Sequence, residues 1–165
     1  IQAALTGHLV FSTLHTNDAP GALTRLLDMG VKPFLVASSV QAIMGQRLVR
    51  RLCPHCKEPH SPTVEELGAV GLKPADVEGK TIYNPVGCDQ CKLGYKGRQA
   101  IFELMEMSPI IRDMTFRREP TLKMREQARI GGMTTLMEDG VRKVLDGISS
   151  IPEILNLARR EDIAY

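Results

Sequence analysis

The 165-residue chain has no tryptophan, and its few Phe and Tyr residues bring the aromatic share to only 4%. That scarcity argues against the aromatic platforms on which single-stranded nucleic acids stack. Charge of one sign is also scarce. A formal net charge of +2 is too small to imply a polyanionic partner by itself. No apolar run approaches the ~18 residues that would suggest a membrane-spanning helix. The opening IQAALTGHLV has neither a basic stretch nor a cleavage site, so no secretory leader is expected. It also opens without Met, inside what reads as a helix end, so the expectation is a piece of a longer protein. No internal repeat or low-complexity tract is evident. What remains has the balance of a soluble globular protein, 43% apolar and 24% charged. Its length suits one core, or a core plus a small module.

Cysteine is sparse but patterned. The four occur as CPHC at 53–56 and CDQC at 88–91. Without a secretory leader, two such pairs favour a metal in a reducing cytoplasm over disulfides. Two ligands separated by two residues reach one ion from a single tight knuckle. Two knuckles complete a closed tetrahedral site, so Cys53, Cys56, Cys88 and Cys91 are expected to hold a structural Zn2+. No ligand position is left for water, which argues against catalysis by the metal. Between the pairs the chain has few apolar residues, chiefly Val64, Leu67, Val70, Leu72, Val77, Ile82, Tyr83 and Val86. It can hardly build its own core, so the metal is expected to cross-link it. Arg51, Lys57, Lys92 and Lys96 are near enough in sequence to offset the charge of four thiolates, and His55 and His60 read as bystanders.

The rest reads as an α/β protein. Leu9 to Leu14 is nearly continuous in apolar residues, the pattern of a buried parallel strand. Asp18 is placed to cap a helix with Pro20 in its first turn and Gly30 at its end. A second helix is expected from Pro33 to Leu52, on the spacing of Phe34, Val40, Ile43, Met44 and Leu48. Arg47, Arg50 and Arg51 would then meet the negative end of its dipole. Thr63 and Glu66 suit a capping box on a short helix. Residues 98–107 read as a strand. Helices follow, opened by Ser108-Pro109, by Thr121, and by capping boxes at Thr135–Glu138 and Ser150–Glu153. Met105, Met107, Met114, Met124, Met133 and Met137 are read as core filling, and the closing ARREDIAY as a solvated end.

His8 and His15 flank the first strand. Seven residues apart in one strand, they would lie about 23 Å from each other and could not share an ion. His8 alone suits a turn. His15 sits among Ser12, Thr13, Thr16, Asn17 and Asp18 at the strand's C-terminal end, where open α/β sheets bind ligands. For Thr16, Asn17 and Asp18 the spacing favours helix capping over ligand binding; for His15 it decides neither way.

Here the residues become recognisable. TGHLVFSTLHTNDA at 6–19 resembles the histidine box of the type II secretion and type IV pilus assembly ATPases. QRLVRRLC at 46–53, the two cysteine pairs, GYKGRQAIFELMEM at 94–107 and GGMTTLMEDGVRKVLDG at 131–147 continue the likeness in the same order. The resemblance implies a truncated RecA-like ATPase domain with a tetracysteine zinc module and a helical C-terminal tail. Its division would be 1–52, 53–97 and 98–165. His15 and Thr16 would sense the γ-phosphate, with His8, Thr13, Arg47 and Arg50 near the nucleotide. ATP with Mg2+ would be the cofactor of the intact parent. The implied partners are neighbouring subunits of a homohexamer and an inner-membrane platform protein, with no nucleic acid. The location would be cytoplasmic, peripheral at the inner membrane.

The likeness has one large gap. No G-x-x-x-x-G-K-[ST] occurs, so nothing in the chain cradles the α- and β-phosphates. A Walker B strand and acidic box are likewise not found. The chain alone is therefore expected to bind ATP very weakly and not to hydrolyse it. Two other classes fit parts of the pattern. A zinc ribbon on nucleic acid would use Arg47, Arg50, Arg51, Lys57, Lys92, Lys96 and Arg98, but no recognition helix supports it. A thiol–disulfide oxidoreductase would need an exposed cysteine of low pKa.

Overall fold

The computed structural model describes the backbone of residues 1–161 and the side chains of residues 1–159. Part of ARREDIAY thus lies outside the described residues. The elements in chain order are α1 (Gln2–Leu5), α2 (Ala19–Asp28), α3 (Pro33–Ser39), β1 (Ala42–Leu52), β2 (Glu58–His60), α4 (Val64–Ala69), a 3-10 turn (Pro74–Val77), β3 (Ile82–Asn84), β4 (Tyr95–Glu106), α5 (Pro109–Phe116), α6 (Thr121–Ile130), α7 (Leu136–Leu145) and α8 (Ile151–Glu161). Two small sheets form, β1 with β4 and β2 with β3.

Two sequence expectations fail. Residues 8–16 form no strand, and Leu9 and Phe11 are 84% and 88% exposed. A lone apolar segment cannot satisfy its backbone as a strand without a neighbour, and none of the described strands pairs with it. The helix expected to reach Leu52 stops at Ser39, and the chain continues as β1. Burial along β1 alternates, with Ile43, Gly45, Arg47 and Val49 more covered than their neighbours. That period of two belongs to a strand. Arg47, Arg50 and Arg51 therefore end no helix.

The pairing of β1 with β4 is antiparallel. The Met107 N–H donates to the Gln41 carbonyl at 3.0 Å, and at the other end the Cys53 N–H donates to Gly94 O at 2.9 Å. The interval from Gly94 to Met107 is one residue longer than that from Gln41 to Cys53, so β4 carries a bulge. Gly97, with φ +79°, supplies the left-handed residue such a bulge favours.

The chain divides into two compact units. The first comprises residues 1–45 and 103–135. Asp18 caps α2, accepting from the Gly21 N–H at 2.9 Å, with Pro20 in the first turn as expected. Arg125 donates to the same carboxylate from Nε at 3.1 Å and also from Nη2. Buried Glu103 accepts the Ala19 N–H at 2.7 Å. The core joins Leu23 and Val36 to Ile111 and to Met105, Met107, Met124 and Met133. The methionines do fill gaps here, as their unbranched shape allows.

The second unit comprises residues 46–102 and 136–165. The Thr63–Glu66 capping box is present on α4. Leu67, Val70 and Ile82 from the stretch between the cysteine pairs do not make a separate core. They join Val49, Ile101, Leu136, Met137, Val144, Ile151 and Ile154 in one cluster. Asp139 on α7 accepts the Phe102 N–H at 2.9 Å. No helix among the described residues is long and apolar enough to cross a membrane.

Candidate functional site

β1 ends at Leu52 and delivers Cys53 directly; the second cysteine pair lies just before β4 begins. The Lys57 N–H donates back to the Cys53 carbonyl at 3.1 Å, closing the first knuckle. In the second, the Cys88 N–H donates to the Cys91 Sγ at 3.3 Å. Lys92 and Tyr95 then exchange backbone hydrogen bonds of 3.0 Å in both directions. The antiparallel β2–β3 pair, with Pro59 opposite Tyr83, closes the intervening loop.

The four sulfurs lie within 4.8 Å of one another. Neighbouring pairs are 3.9 Å apart for Cys53–Cys88, 3.7 Å for Cys56–Cys91 and 3.6 Å for Cys88–Cys91. Disulfide sulfurs would be about 2.05 Å apart. Thiolates about 2.3 Å from a shared tetrahedral centre are separated by about 3.8 Å. The donor set therefore fits a metal ion. The thiols are also unequal. Burial opposes ionisation of Cys91, but the Cys88 N–H and the Cys88 and Cys56 thiols outweigh it and bring Cys91 down to about 7. Cys88 receives a favourable Gln90 N–H, yet burial and its three thiol neighbours push it up to about 12. Burial also raises Cys56.

The sequence does not announce the supports of this centre. Lys57 Nζ donates to the Gly147 carbonyl at 2.9 Å and lies 4.2 Å from the Tyr83 ring centre. The Leu52 N–H donates to Ile148 O at 2.8 Å, and the Ser149 hydroxyl to Arg50 O at 2.9 Å. Gly94, with φ +82°, is a close approach: a Cβ there would lie 2.4 Å from Pro85 Cβ and 2.8 Å from Val86 N. Gly94→Ala is expected to cost about 2–4 kcal/mol, from overpacking and backbone strain together. Urea denaturation of the variant beside the parent chain checks this.

The polar residues of the opening segment from His8 up to Thr16 lie outside any helix or strand. His8, Ser12, Thr13 and His15 are exposed, and His8 Nδ1 lies 3.0 Å from the Thr6 hydroxyl. The Thr16 hydroxyl donates to Asp18 O at 3.1 Å. Arg47 Nη1 donates to the Gln46 carbonyl at 3.0 Å. Arg50 is held firmly. Its Nε and Nη2 donate to Glu153 Oε2 at 2.8 and 2.5 Å, and its N–H to Glu153 Oε1 at 2.9 Å. Its guanidinium also lies 4.1 Å from the Tyr95 ring centre, and Tyr95 OH is 2.7 Å from the Ser150 hydroxyl. Glu153 had been read only as a capping residue. An Arg–Glu pair 103 residues apart leaves no local signal.

Residues 1–156 match the model of a protein family described as "Type II/IV secretion system protein". The chain belongs to this family. Among its relatives, the Type IV pilus assembly ATPase PilB of Thermus thermophilus is 46% identical over 155 residues, which cover 93% of this chain and 17% of that protein. Type II secretion system protein E of Pseudomonas aeruginosa is 44% identical over 162 residues, 98% of this chain and 32% of that protein. The PilB of Myxococcus xanthus is 43% identical over 158 residues, 94% of this chain and 28% of that protein. The chain thus spans between 17% and 32% of the length of these relatives.

Members of a family with ATPases raise the question of a phosphate cradle. Gly79-Lys80-Thr81 is the one Gly-Lys-Thr in the chain, but Pro74 stands where such a loop needs its first glycine. β3 follows it, not a helix whose N-terminus could face phosphates.

Proposed function

We propose that this chain is the nucleotide-sensing and coupling portion of an ATPase that powers type II secretion or type IV pilus assembly. The observation that carries this reading is the near-complete coverage of the chain by relatives of both kinds, two of which are named as ATPases. In this reading the fold is part of a RecA-like domain. The exposed apolar segment at 9–14 supports it: six residues with strand chemistry and no strand partner suit a sheet completed by residues of the longer parent.

His15 and Thr16 would meet the γ-phosphate of ATP held by the parent's own loop, with His8 and Thr13 nearby. Each charge-assisted hydrogen bond gained contributes about 1.5–3 kcal/mol. That shifts a two-state arrangement by tens of fold. The shift would pass along the chain through α2, α3 and β1, which runs directly into Cys53. There the four cysteines would hold a structural Zn2+, whose contribution is to fix the two knuckles as a rigid unit. Neighbouring subunits of a homohexamer would share the nucleotide site. The module would act on an inner-membrane platform protein from the cytoplasmic side.

Hydrolysis itself would need the phosphate-binding half of the parent. The 165-residue chain is expected to release no phosphate from ATP above the buffer rate, whereas the full-length protein turns ATP over. A coupled phosphate-release assay on both decides. Turnover by the short chain would overturn the division of labour proposed here.

A further inference from the structure

Beside the second cysteine pair, the second unit has a concavity of about 330 Å³ lined by Arg50, Lys92, Leu93, Tyr95, Gly97 and Arg98. Its three cations come from three stretches of chain: β1, the turn after the second knuckle, and β4. They differ in commitment. Arg50 is neutralised by Glu153 and laid against the Tyr95 ring, so it forms a fixed wall. Lys92 and Arg98 have no carboxylate at ion-pair distance among the described residues. Two of the pocket's cations thus stand outside the ion pairs among the described residues.

Its other walls leave room for a ligand. Gly97 has φ +79° and nothing within 4 Å of where a Cβ would be, so bare main chain borders the pocket there. A glycine so placed lets a bound group approach the backbone. Leu93, 75% exposed, gives an apolar rim. Balancing the thiolates could employ Lys92, which follows Cys91. That role would not require Arg50 and Arg98 to converge with it on one cavity.

We propose that this pocket binds a phosphate monoester, with Lys92 and Arg98 as its charge partners and Leu93 against the group the phosphate is attached to. A dianion matches these two cations in charge, whereas a carboxylate would match only one. Arg98 adds the planar fork suited to phosphate oxygens. A nucleic-acid strand would instead need a row of phosphate contacts along a surface. The same chemistry can be presented by a soluble phosphate compound or by a lipid headgroup. The assignment is independent of the nucleotide reading of the histidine segment.

The test titrates the whole 165-residue chain with inorganic phosphate at constant ionic strength, against chloride, following the backbone amides of residues 92–98 by NMR. Saturable, phosphate-specific shifts are expected, and Lys92→Gln and Arg98→Gln should each weaken binding roughly tenfold. Lys96→Gln, at an exposed neighbour on β4 that does not line the pocket, should leave it unchanged. Circular dichroism confirms that each variant is folded. Should Arg98→Gln fail to fold, Arg98→Lys keeps the charge, loses the fork and is expected to show an intermediate loss. Sedimentation with phosphatidic acid vesicles in phosphatidylcholine separates the sources. Vesicle binding displaced by inorganic phosphate assigns a headgroup; phosphate saturation without vesicle binding assigns a soluble compound. Shifts no larger than with chloride, or equal weakening by Lys96→Gln, would overturn the pocket as a site.

Discussion

Replacing Cys88 with serine is expected to weaken metal binding by at least about 100-fold, beyond the 10–100-fold typical for loss of an outer-shell partner. A serine hydroxyl does not ionise in the range where thiolates form, so one vertex of the tetrahedron is lost. The structural consequence should be local. In small zinc-dependent folds the metal supplies most of the folding energy, because no other core exists. Here Leu67, Val70 and Ile82 belong to a cluster with Leu136, Val144 and Ile154. Amides of the two knuckles and of β2 and β3 should lose exchange protection, while those of α7 and α8 keep most of theirs. Global unfolding of the second unit would mean that the shared core contributes less than its burial implies. Acid should mimic the substitution. The ligands bind as thiolates, and Cys91, at about 7, ionises before Cys88, at about 12. Metal uptake at neutral pH must therefore displace protons from the cluster, and affinity should fall as pH is lowered.

In the full-length protein, His15→Ala should lower ATP turnover about 10- to 100-fold while changing nucleotide affinity less than about threefold. The asymmetry follows from where the imidazole would act. Affinity would come chiefly from the parent's phosphate loop, and His15 would add one or two charge-assisted bonds at the γ-phosphate. Folding should not confuse the result. His15 is exposed, and substitutions at such positions commonly change stability by under about 0.5 kcal/mol. Steady-state kinetics and equilibrium binding of a non-hydrolysable analogue, measured on the same preparation, separate the two effects. Equal losses in both would contradict a sensing role and make His15 an ordinary binding residue.

The convergence of the four cysteines was legible from their spacing, because two short knuckles are local chemistry and need no knowledge of the fold. Helix starts were legible for the same reason: Asp18, Thr63 and Ser108 each bond a backbone N–H three residues on. The errors fall where a partner decides the outcome. Residues 40–52 carry apolar positions compatible with both helical and alternating periods, and pairing with β4 selects the strand. The run at 9–14 has strand chemistry, but strand formation needs a second strand, which no described element provides. The supports of the cysteine centre were invisible for a related reason. Lys57 meets Gly147, and Arg50 meets Glu153, across 90 and 103 residues of sequence. Nothing in a local pattern encodes such distant pairings.

The coupling account rests on β1 ending in a metal-fixed knuckle, so metal content tests it most directly. Elemental analysis of the purified chain, combined with thiol titration before and after chelation, is the measurement. The account predicts one zinc atom per chain and four thiols that react only after the chelator removes it. A metal-free chain whose four thiols react at once would contradict it, and the module would lose its claim to act as a rigid relay.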